Sequence, residues 1–343
     1  MRLLIEMSHP ADVNFFRHAL RILSEKGWEY EVVTRGRENT LDVLRAYNFR
    51  FKAYGKTAPG LAAKAVQTLS NDCKLLRIAR RFRPDVFLSF GSPYLVQVAR
   101  LMGKRSVIFT DTETAGLQLM MTTPFADAIY SPMVFGLDFG KKHVRFKGFK
   151  ELAYLSPKYF DRLNEPLPAG FDRGRYAIIR INAFDATHDI GLPVPLTFYD
   201  WSRIVESVRK YVQPIILSEL RLPPDLLVFS KKIPPTAFHT VLSNAAIVVS
   251  DSCTITSESA ILGVPVVFCH PDPSQLKNFE ELEGRYGLIV CRRKTDDVLA
   301  AIDEMFENPA KTREELAGRR EKLLAESEDV TGLIVKSVER WSR

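Results

Sequence analysis

Residues 244–267 read NAAIVVSDSCTITSESAILGVPVV and contain the transitions from which the fold can be predicted. The apolar run Ile247–Ser250 predicts a buried strand, and the pattern from Thr254 to Leu262 predicts a helix. Gly263 ends this helix, and Pro265 lies at the start of the next apolar run. Strand, polar turn, helix and second strand in this order are the repeating unit of a parallel α/β sheet.

The turn at Asp251 and Ser252 is a candidate phosphate-binding site. A helix amino terminus offers unpaired N–H groups and the positive end of its dipole, so it can hold a diphosphate without a lysine. Ser252 and Thr254 add hydroxyls there, and Glu258 follows one helical turn later, where its carboxylate can accept bonds from ribose hydroxyls. An equally open alternative is that Asp251 or Ser252 only caps the helix and that Glu258 is an exposed helix residue.

Short apolar strands alternate with longer helical patterns along most of the chain, which indicates βαβ units. We predict an α/β fold with two Rossmann-like, doubly wound domains facing each other across a cleft. The predicted strands are Arg2–Met7, Glu29–Thr34, Arg50–Ala53, Val86–Phe90, Ser106–Thr110, Ala128–Tyr130, Tyr176–Arg180, Pro214–Leu217, Ile247–Ser250, Val264–Cys269 and Leu288–Cys291.

The chain length of 343 residues also favours two domains, since it exceeds what one hydrophobic core usually supports. The periodicity breaks down before residue 175, and NEPLPAG at 164–170 is typical of a linker. We therefore expect an N-terminal domain at 1–155, a C-terminal domain at 170–310 and a helical tail at 311–343.

Charge is distributed unevenly between the two halves. Residues 1–150 hold 24 Lys and Arg against 13 Asp and Glu, whereas the remainder holds 24 against 28. The helix predicted around Lys64–Arg83 presents Lys74, Arg77 and Arg81, and Val66, Leu69, Cys73, Leu76, Ala79 and Phe82 form its apolar stripe. A solvated helix face is favoured over peripheral contact with an anionic membrane. Aromatic and basic residues are not interleaved here, so the sequence does not suggest binding to nucleic acid.

Several other classes of protein are not indicated. No stretch has the roughly 18 apolar residues that a membrane span requires, and no targeting pattern is evident. The spacings of the four cysteines match no zinc or redox motif, and no pair of histidines has metal-ligand spacing. We expect a cytoplasmic location, with contact at the inner membrane face left open, and no metal or cofactor.

Residues 250–265 resemble the donor-binding signature of GT-B proteins, which include UDP-N-acetylglucosamine 2-epimerases and related glycosyltransferases. Residues 234–242, PPTAFHTVL, resemble the short helix that precedes this strand in those families. The resemblance implies that Ser252, Cys253 and Thr254 bind the diphosphate, Glu258 the ribose, and the loop around Ile233 the base. Cys253 stands where these families usually have glycine, so the turn must avoid positive φ.

Residues 7–16, MSHPADVNFF, resemble the first loop of a group of GT-B-like proteins in archaea and bacteria, and the chain is identified as a member of that group. Many glycosyltransferases of this fold carry a catalytic histidine just before the helix. Asn14 stands there instead and is a candidate substrate-binding residue, because asparagine cannot act as a general base. His9 is the nearest substitute. Its alternative is a loop histidine bonded to the backbone.

The stretch DTETAGL at 111–117 follows a predicted strand and contains two carboxylates, which are candidates for acid–base chemistry. Residues 113–117 resemble the Glu-Ala-Gly-Leu segment of the 2-epimerases, whose glutamate acts in catalysis. The second catalytic acid of that family would fall within Ser89–Pro93, where no acid stands, and its His-Arg-Arg motif is replaced by residues 180–189. Asp111 can instead be a helix-capping residue.

Together these resemblances imply a glycosyltransferase that moves a sugar from a nucleotide-diphosphate donor, a UDP-sugar, to an unknown acceptor. Glu113, Asp111 and His9, in that order, are the candidate bases. Two alternatives stay open. One is an enzyme like UDP-N-acetylglucosamine 2-epimerase, and the other is a nucleotide-sugar-binding protein without catalysis.

Overall fold

A computed structural model describes residues 1–55, 61–161, 164–182, 196–218, 220–270 and 276–342, with the backbone alone for 61–69. The chain forms two compact units. The N-terminal unit comprises Met1–Tyr154 together with Glu328–Arg343, and the C-terminal unit comprises Leu155–Ser327.

The N-terminal unit is built on a seven-stranded parallel sheet in the order β3-β2-β1-β4-β5-β6-β7. Its strands are β1 (Arg2–Glu6), β2 (Glu29–Thr34), β3 (Phe51–Ala53), β4 (Val86–Phe90), β5 (Arg105–Phe109), β6 (Ala128–Pro132) and β7 (His143–Phe146). The helices are α1 (Pro10–Glu25), α2 (Glu38–Ala46), α3 (Leu61–Phe82), α4 (Pro93–Leu101), α5 (Gly116–Thr122) and α6 (Leu152–Leu155), which ends at the unit boundary.

The C-terminal unit is built on a five-stranded parallel sheet in the order β12-β11-β10-β8-β9. Its strands are β8 (Tyr176–Ile181), β9 (Gln213–Ser218), β10 (Ile247–Ser250), β11 (Val266–Phe268) and β12 (Val290–Cys291). The helices are α7 (Phe198–Arg209), α8 (Pro224–Leu227), α9 (Phe238–Ser243), α10 (Cys253–Leu262), α11 (Lys277–Glu280), α12 (Thr295–Glu307) and α13 (Pro309–Glu326). A π-helix, Glu281–Arg285, continues α11.

Helix α10 is buried from Ile255 to Leu262, because it packs against β10 and β11 of the sheet and against helices α9 and α13. Gly263 ends it in the left-handed conformation with φ of 71°, a conformation that glycine adopts at little cost. The predicted strand–turn–helix therefore has the expected start and end, and the predicted α/β fold with two doubly wound, Rossmann-like units is confirmed.

The structure divides the stretch that the sequence grouped as one tail at 311–343. Helix α13 stays in the C-terminal unit, where Arg320 Nε donates to the carbonyl of Ile261 at 2.6 Å. Helix α14 (Val330–Trp341) returns to the N-terminal unit and packs against α1 and β5. Its buried residues are Val330, Thr331, Ile334, Val335, Ser337 and Val338, an apolar face that the neighbouring charges obscured.

Two further predictions need correction. Residues 143–146 are not among the predicted strands but form β7, an edge strand in which only Phe146 is buried. On the described part of α3, the buried positions are Asn71, Leu75 and Ala79, whereas Cys73 is exposed. Of the predicted stripe in this part of the helix, Leu76, Ala79 and Phe82 pack against the core, and only Cys73 does not. None of the helices in the described ranges is both long enough and apolar enough to span a bilayer.

Candidate functional site

In the C-terminal unit the strand order reverses between β8 and β10, which is where open parallel sheets bind ligands beyond their carboxyl ends. The loops that follow these two strands are joined there. The buried Asp251 accepts a hydrogen bond from the backbone N–H of Asn182 through Oδ1 at 2.8 Å. Asp251 therefore joins the two loops, and the N-cap position of α10 is taken by Ser252.

Ser252 is the residue from which α10 begins, with φ of −91°. Its N–H donates to Ser250 Oγ at 2.9 Å, and its own side chain accepts no bond from the first helical turn in the part of the chain that is described. Cys253 and Thr254 form that turn and are half-buried. The only described non-glycine residues with positive φ are Asn48 and Arg83, so this turn accommodates a cysteine in place of glycine.

Glu258 lies inside the unit and not on the helix surface. Its Oε1 is 3.0 Å from Nε2 of His239 on α9, and both side chains are 3% exposed. The rings of Phe160 and Phe238 contact His239 edge-on. The exposed-residue alternative for Glu258 is therefore wrong. Ile233 lies half-buried in the loop before α9.

In the N-terminal unit the strand order reverses between β1 and β4, and the carboxylate of Glu6 is buried at this position. Ser8 Oγ donates to Glu6 Oε1 at 2.7 Å, and Ser92 Oγ donates to Oε2. Arg35 Nε lies 3.3 Å from Oε1. Burial is the largest single influence and lowers the pKa of Arg35, but Glu6 together with Tyr54, Tyr94 and Asp12 raises it above its ordinary value.

The sequence did not identify this cluster of Glu6, Ser8, Arg35 and Ser92. One available signal was an acid at the end of an otherwise apolar strand, because buried charges are rare unless paired. Residues 89–93 contain no acid, as predicted, yet Glu6 reaches this loop from β1. Residues 180–189 replace the epimerase His-Arg-Arg motif, and of these, 183–189 lie outside the described residues.

His9 caps α1, since its Nδ1 accepts the N–H of Ala11 at 3.2 Å. Asp12 completes the capping box by accepting the N–H groups of Ser8 and His9, both at 2.9 Å. A neutral ring whose Nδ1 accepts carries its proton on Nε2, so it cannot take a second proton without losing the cap. His9 is thus the loop histidine bonded to the backbone that the sequence left open as an alternative to a catalytic base. Asn14 is in the next turn, and its Oδ1 is buried without a hydrogen-bond partner among the described residues.

Asp111 and Glu113 follow β5 but have different surroundings. Asp111 is buried and forms an ion pair with Lys150, whose Nζ is also 3.3 Å from Glu151 Oε1. Burial alone would lower the pKa of Lys150, but the two carboxylates raise it above its ordinary value. Glu113 Oε1 accepts the N–H of Gly136 at 3.1 Å.

Asp111 is not the cap of α5, which begins from Ala115 without a side-chain cap. Lys150 and Glu151 were missed because they lie in an irregular segment after β7 and belong to no periodic pattern. Within the described ranges, no group of three His, Cys, Asp or Glu side chains is arranged to hold a metal ion.

Comparison with known proteins supplies the family and the fold. The model of the family described as protein of unknown function (DUF354) matches residues 1–341. A Methanocaldococcus jannaschii protein, described as uncharacterized protein MJ0665, is 23% identical over 293 residues, which cover 78% of this chain and 81% of that protein. The predicted kinship with a GT-B-like group found in archaea and bacteria is confirmed.

Solved structures match over almost the whole chain. UDP-GlcNAc 2-epimerase from Neisseria meningitidis, bound to UDP-GlcNAc, matches with a TM-score of 0.64 and 13% identity, covering 99% of this chain and 100% of the other. The spinosyn forosaminyltransferase SpnP matches with a TM-score of 0.67 and 15% identity, covering both chains completely. At such identities the likeness is one of fold, and this fold is the GT-B type.

Proposed function

The chain belongs to the DUF354 family, and we propose that it is a glycosyltransferase that takes a sugar from a nucleotide-diphosphate donor, a UDP-sugar. The observation that carries the proposal is the position of the α10 amino terminus. It lies at the carboxyl edge of the C-terminal sheet, at the reversal between β8 and β10, and Ser252 gives it no side-chain cap. Such a helix start is suited to an anionic group.

The donor diphosphate binds at Ser252, Cys253 and Thr254 in this proposal. The first-turn N–H groups and the hydroxyls of Ser252 and Thr254 stabilise the negative charge that develops as the diphosphate leaves. Because these dipoles are fixed before the reaction, they need no reorganisation in the transition state.

Glu258 binds the ribose, and the half-buried loop at Ile233 contacts the base. The bond from His239 to Oε1 orients the carboxylate. A carboxylate has about four acceptor positions on two oxygens, so one bond to His239 is compatible with a further bond from a ribose hydroxyl. His239 is therefore a positioning residue for this part of the site.

Glu113 is the proposed base that deprotonates the acceptor hydroxyl. Asp111 is less suited, because taking up a proton would remove its ion pair with the buried Lys150. His9 is less suited because protonation would break its cap on α1. Asn14, with its unsatisfied buried oxygen, is the proposed substrate-binding residue beside the first loop.

A 2-epimerase-like enzyme is the second candidate, favoured by the position of Glu113 directly after β5, in the segment that resembles the epimerase sequence. The fold shared with an epimerase bound to UDP-GlcNAc and with a glycosyltransferase supports both candidates. The two differ in whether an acceptor is needed.

The deciding experiment is calorimetric titration with UDP, followed by incubation with a panel of UDP-sugars without acceptor. We expect UDP to bind and the sugars to stay unchanged until an acceptor is added. A sugar epimer or free sugar in the absence of acceptor would identify the second candidate. Binding without turnover across an acceptor panel would indicate a non-catalytic protein, and absence of UDP binding would contradict the donor assignment itself.

A further inference from the structure

A cavity of about 310 Å³ opens at the amino-terminal edge of the C-terminal sheet, where the chain enters β8, β9, β10 and β11. The proposed donor site lies at the opposite, carboxyl edge, so the length of the strands separates the two. The apolar part of the cavity lining consists chiefly of Val212, Ile247, Pro265, Met305, Phe306 and Pro309. Ligand pockets commonly have volumes of about 300–1,000 Å³ and mostly apolar walls with a few polar groups. This cavity therefore has the volume and the walls of a site for a small molecule.

One wall of the cavity is aromatic and is held in a fixed position. The rings of Tyr211 and Phe306 are stacked, with centroids 4.4 Å apart and planes inclined by 6°. The Tyr211 hydroxyl donates to Asp303 Oδ1 at 3.0 Å, which fixes the far end of that ring. This wall is thus preorganised to pack against a flat apolar group.

Two arginines supply the charge of the cavity. Arg175 and Arg313 both line it, and neither side chain has a hydrogen bond or an ion pair with any of the described residues. The Arg313 guanidinium instead packs against Gly174, the neighbour of Arg175, where a Cβ atom would lie 2.9 Å from Nη2. The two cations therefore lie close together. Guanidinium groups bind carboxylates and phosphates through paired N–H donors, and an anion between two of them would offset their repulsion.

No acid compensates this charge within the cavity, since the described residues that line it include no Asp or Glu. The acids close to it in the chain lie outside the lining, and these are Asp172, Asp303, Glu307 and Glu314. A neighbouring cavity of about 770 Å³ gives the contrast, because it contains two acids, and Oε1 of one of them, Glu206, is 3.3 Å from Arg209 Nη1. The cation of that cavity is already paired. Of the two cavities, the smaller one offers positive charge to a ligand.

We propose that the smaller cavity is a second ligand site, which binds a small anion that carries a flat apolar group. The anionic end lies between Arg175 and Arg313, and the apolar end packs against the stacked rings of Tyr211 and Phe306. An aromatic phosphate or carboxylate has both of these ends. The site needs neither a sugar donor nor catalysis, so this inference goes beyond the proposed function and can fail independently of it.

The test is a ligand-observed NMR titration of the full chain with phenyl phosphate as the probe. We expect saturable binding that is at least about tenfold tighter than that of inorganic phosphate, because the ring buries apolar area. Benzylammonium has a similar ring but the opposite charge, and it should not bind. Saturating UDP should leave the affinity for phenyl phosphate unchanged, since the donor site lies at the other edge of the sheet.

Arg175→Gln with Arg313→Gln should weaken the binding of phenyl phosphate at least about tenfold, because the paired donors to the phosphate are lost. The matched control is Arg221→Gln with Lys294→Gln. It removes two exposed cations of the same unit that do not line the cavity, and it should leave binding unchanged. Arg175→Lys with Arg313→Lys keeps the charge but not the planar fork, so its affinity should be intermediate. Thermal unfolding verifies that each variant is folded.

The proposal is overturned if phenyl phosphate does not bind saturably, if benzylammonium binds equally well, or if the glutamine variant and the control bind alike. Competition by UDP would show that UDP and the probe share one site, and this would also overturn the proposal. A protein that binds phenyl phosphate as expected but does not bind UDP would contradict the proposed function and support this second site.

Discussion

Glu258 and His239 form a buried pair in the C-terminal unit, with Oε1 and Nε2 3.0 Å apart. They are 19 residues apart in sequence and lie on different helices, α10 and α9. The residue proposed to bind the ribose is therefore also part of the interior of its domain. Substitutions at Glu258 must be assessed for stability as well as for ligand binding.

Glu258→Ala should weaken UDP binding by about 1.5–3 kcal/mol, the range for a hydrogen bond to a charged group. Replacing an exposed residue would leave stability almost unchanged. Because Glu258 is buried, this substitution should also lower the free energy of unfolding by about 1–3 kcal/mol, since His239 loses its buried partner. Calorimetry and urea denaturation measure the two effects. His239→Ala is the control that breaks the pair but keeps the carboxylate. Unchanged UDP affinity in folded Glu258→Ala would remove the ribose assignment.

Lys150→Met should lower the free energy of unfolding by about 3–5 kcal/mol, because Asp111 and Glu151 would remain close together and buried without their shared cation. Asp111→Asn should cost less, since Glu151 still pairs with Lys150. The double variant should be more stable than the sum of the single losses predicts. Urea denaturation of the parent, the two single variants and the double variant gives the coupling free energy between Asp111 and Lys150. Strictly additive losses would show that the ion pair contributes nothing to stability.

Glu113→Gln should reduce sugar transfer by roughly 10²–10⁴-fold if Glu113 is the general base. The glutamine keeps a side-chain oxygen that can accept the N–H of Gly136, so the loop and UDP affinity should be preserved. Initial rates at saturating donor, together with UDP titration, measure both. Full activity in this variant would show that another residue is the general base. Asp111→Asn is the first further variant to measure.

Asp12 should make stability depend on pH. Burial raises the pKa of its carboxyl from 3.8 to about 7, although the N–H groups of Ser8 and His9 oppose this effect. The folded state then binds the proton more tightly than the unfolded chain, so this contribution to stability is present at low pH and is lost between about pH 4 and pH 7. Asp12→Asn keeps an acceptor for the cap and should reduce that slope in urea denaturation. An identical slope in the variant would contradict the raised pKa.

The start and end of most elements could be predicted from the sequence, because local periodicity and turn residues determine them. The strand Ile247–Ser250, the helix that follows it and the glycine that ends it are found where their residue types placed them. The failures have local causes too. In β7 only one side chain is buried, so no alternation marks it, and in α14 an apolar face is interspersed with charges.

The sequence by itself thus determined the α/β class, the two parallel sheets and the loops at which chemistry was to be sought. Which side chains meet was decided by tertiary structure alone. Strand order brings Glu6 to Ser92 and Arg35, and the chain after β7 brings Lys150 to Asp111. The physical reason is the difference in sequence distance over which the two kinds of interaction act. Hydrophobic periodicity acts over one or two turns of chain, whereas a buried charge finds its partner only when the sheet has placed distant segments side by side.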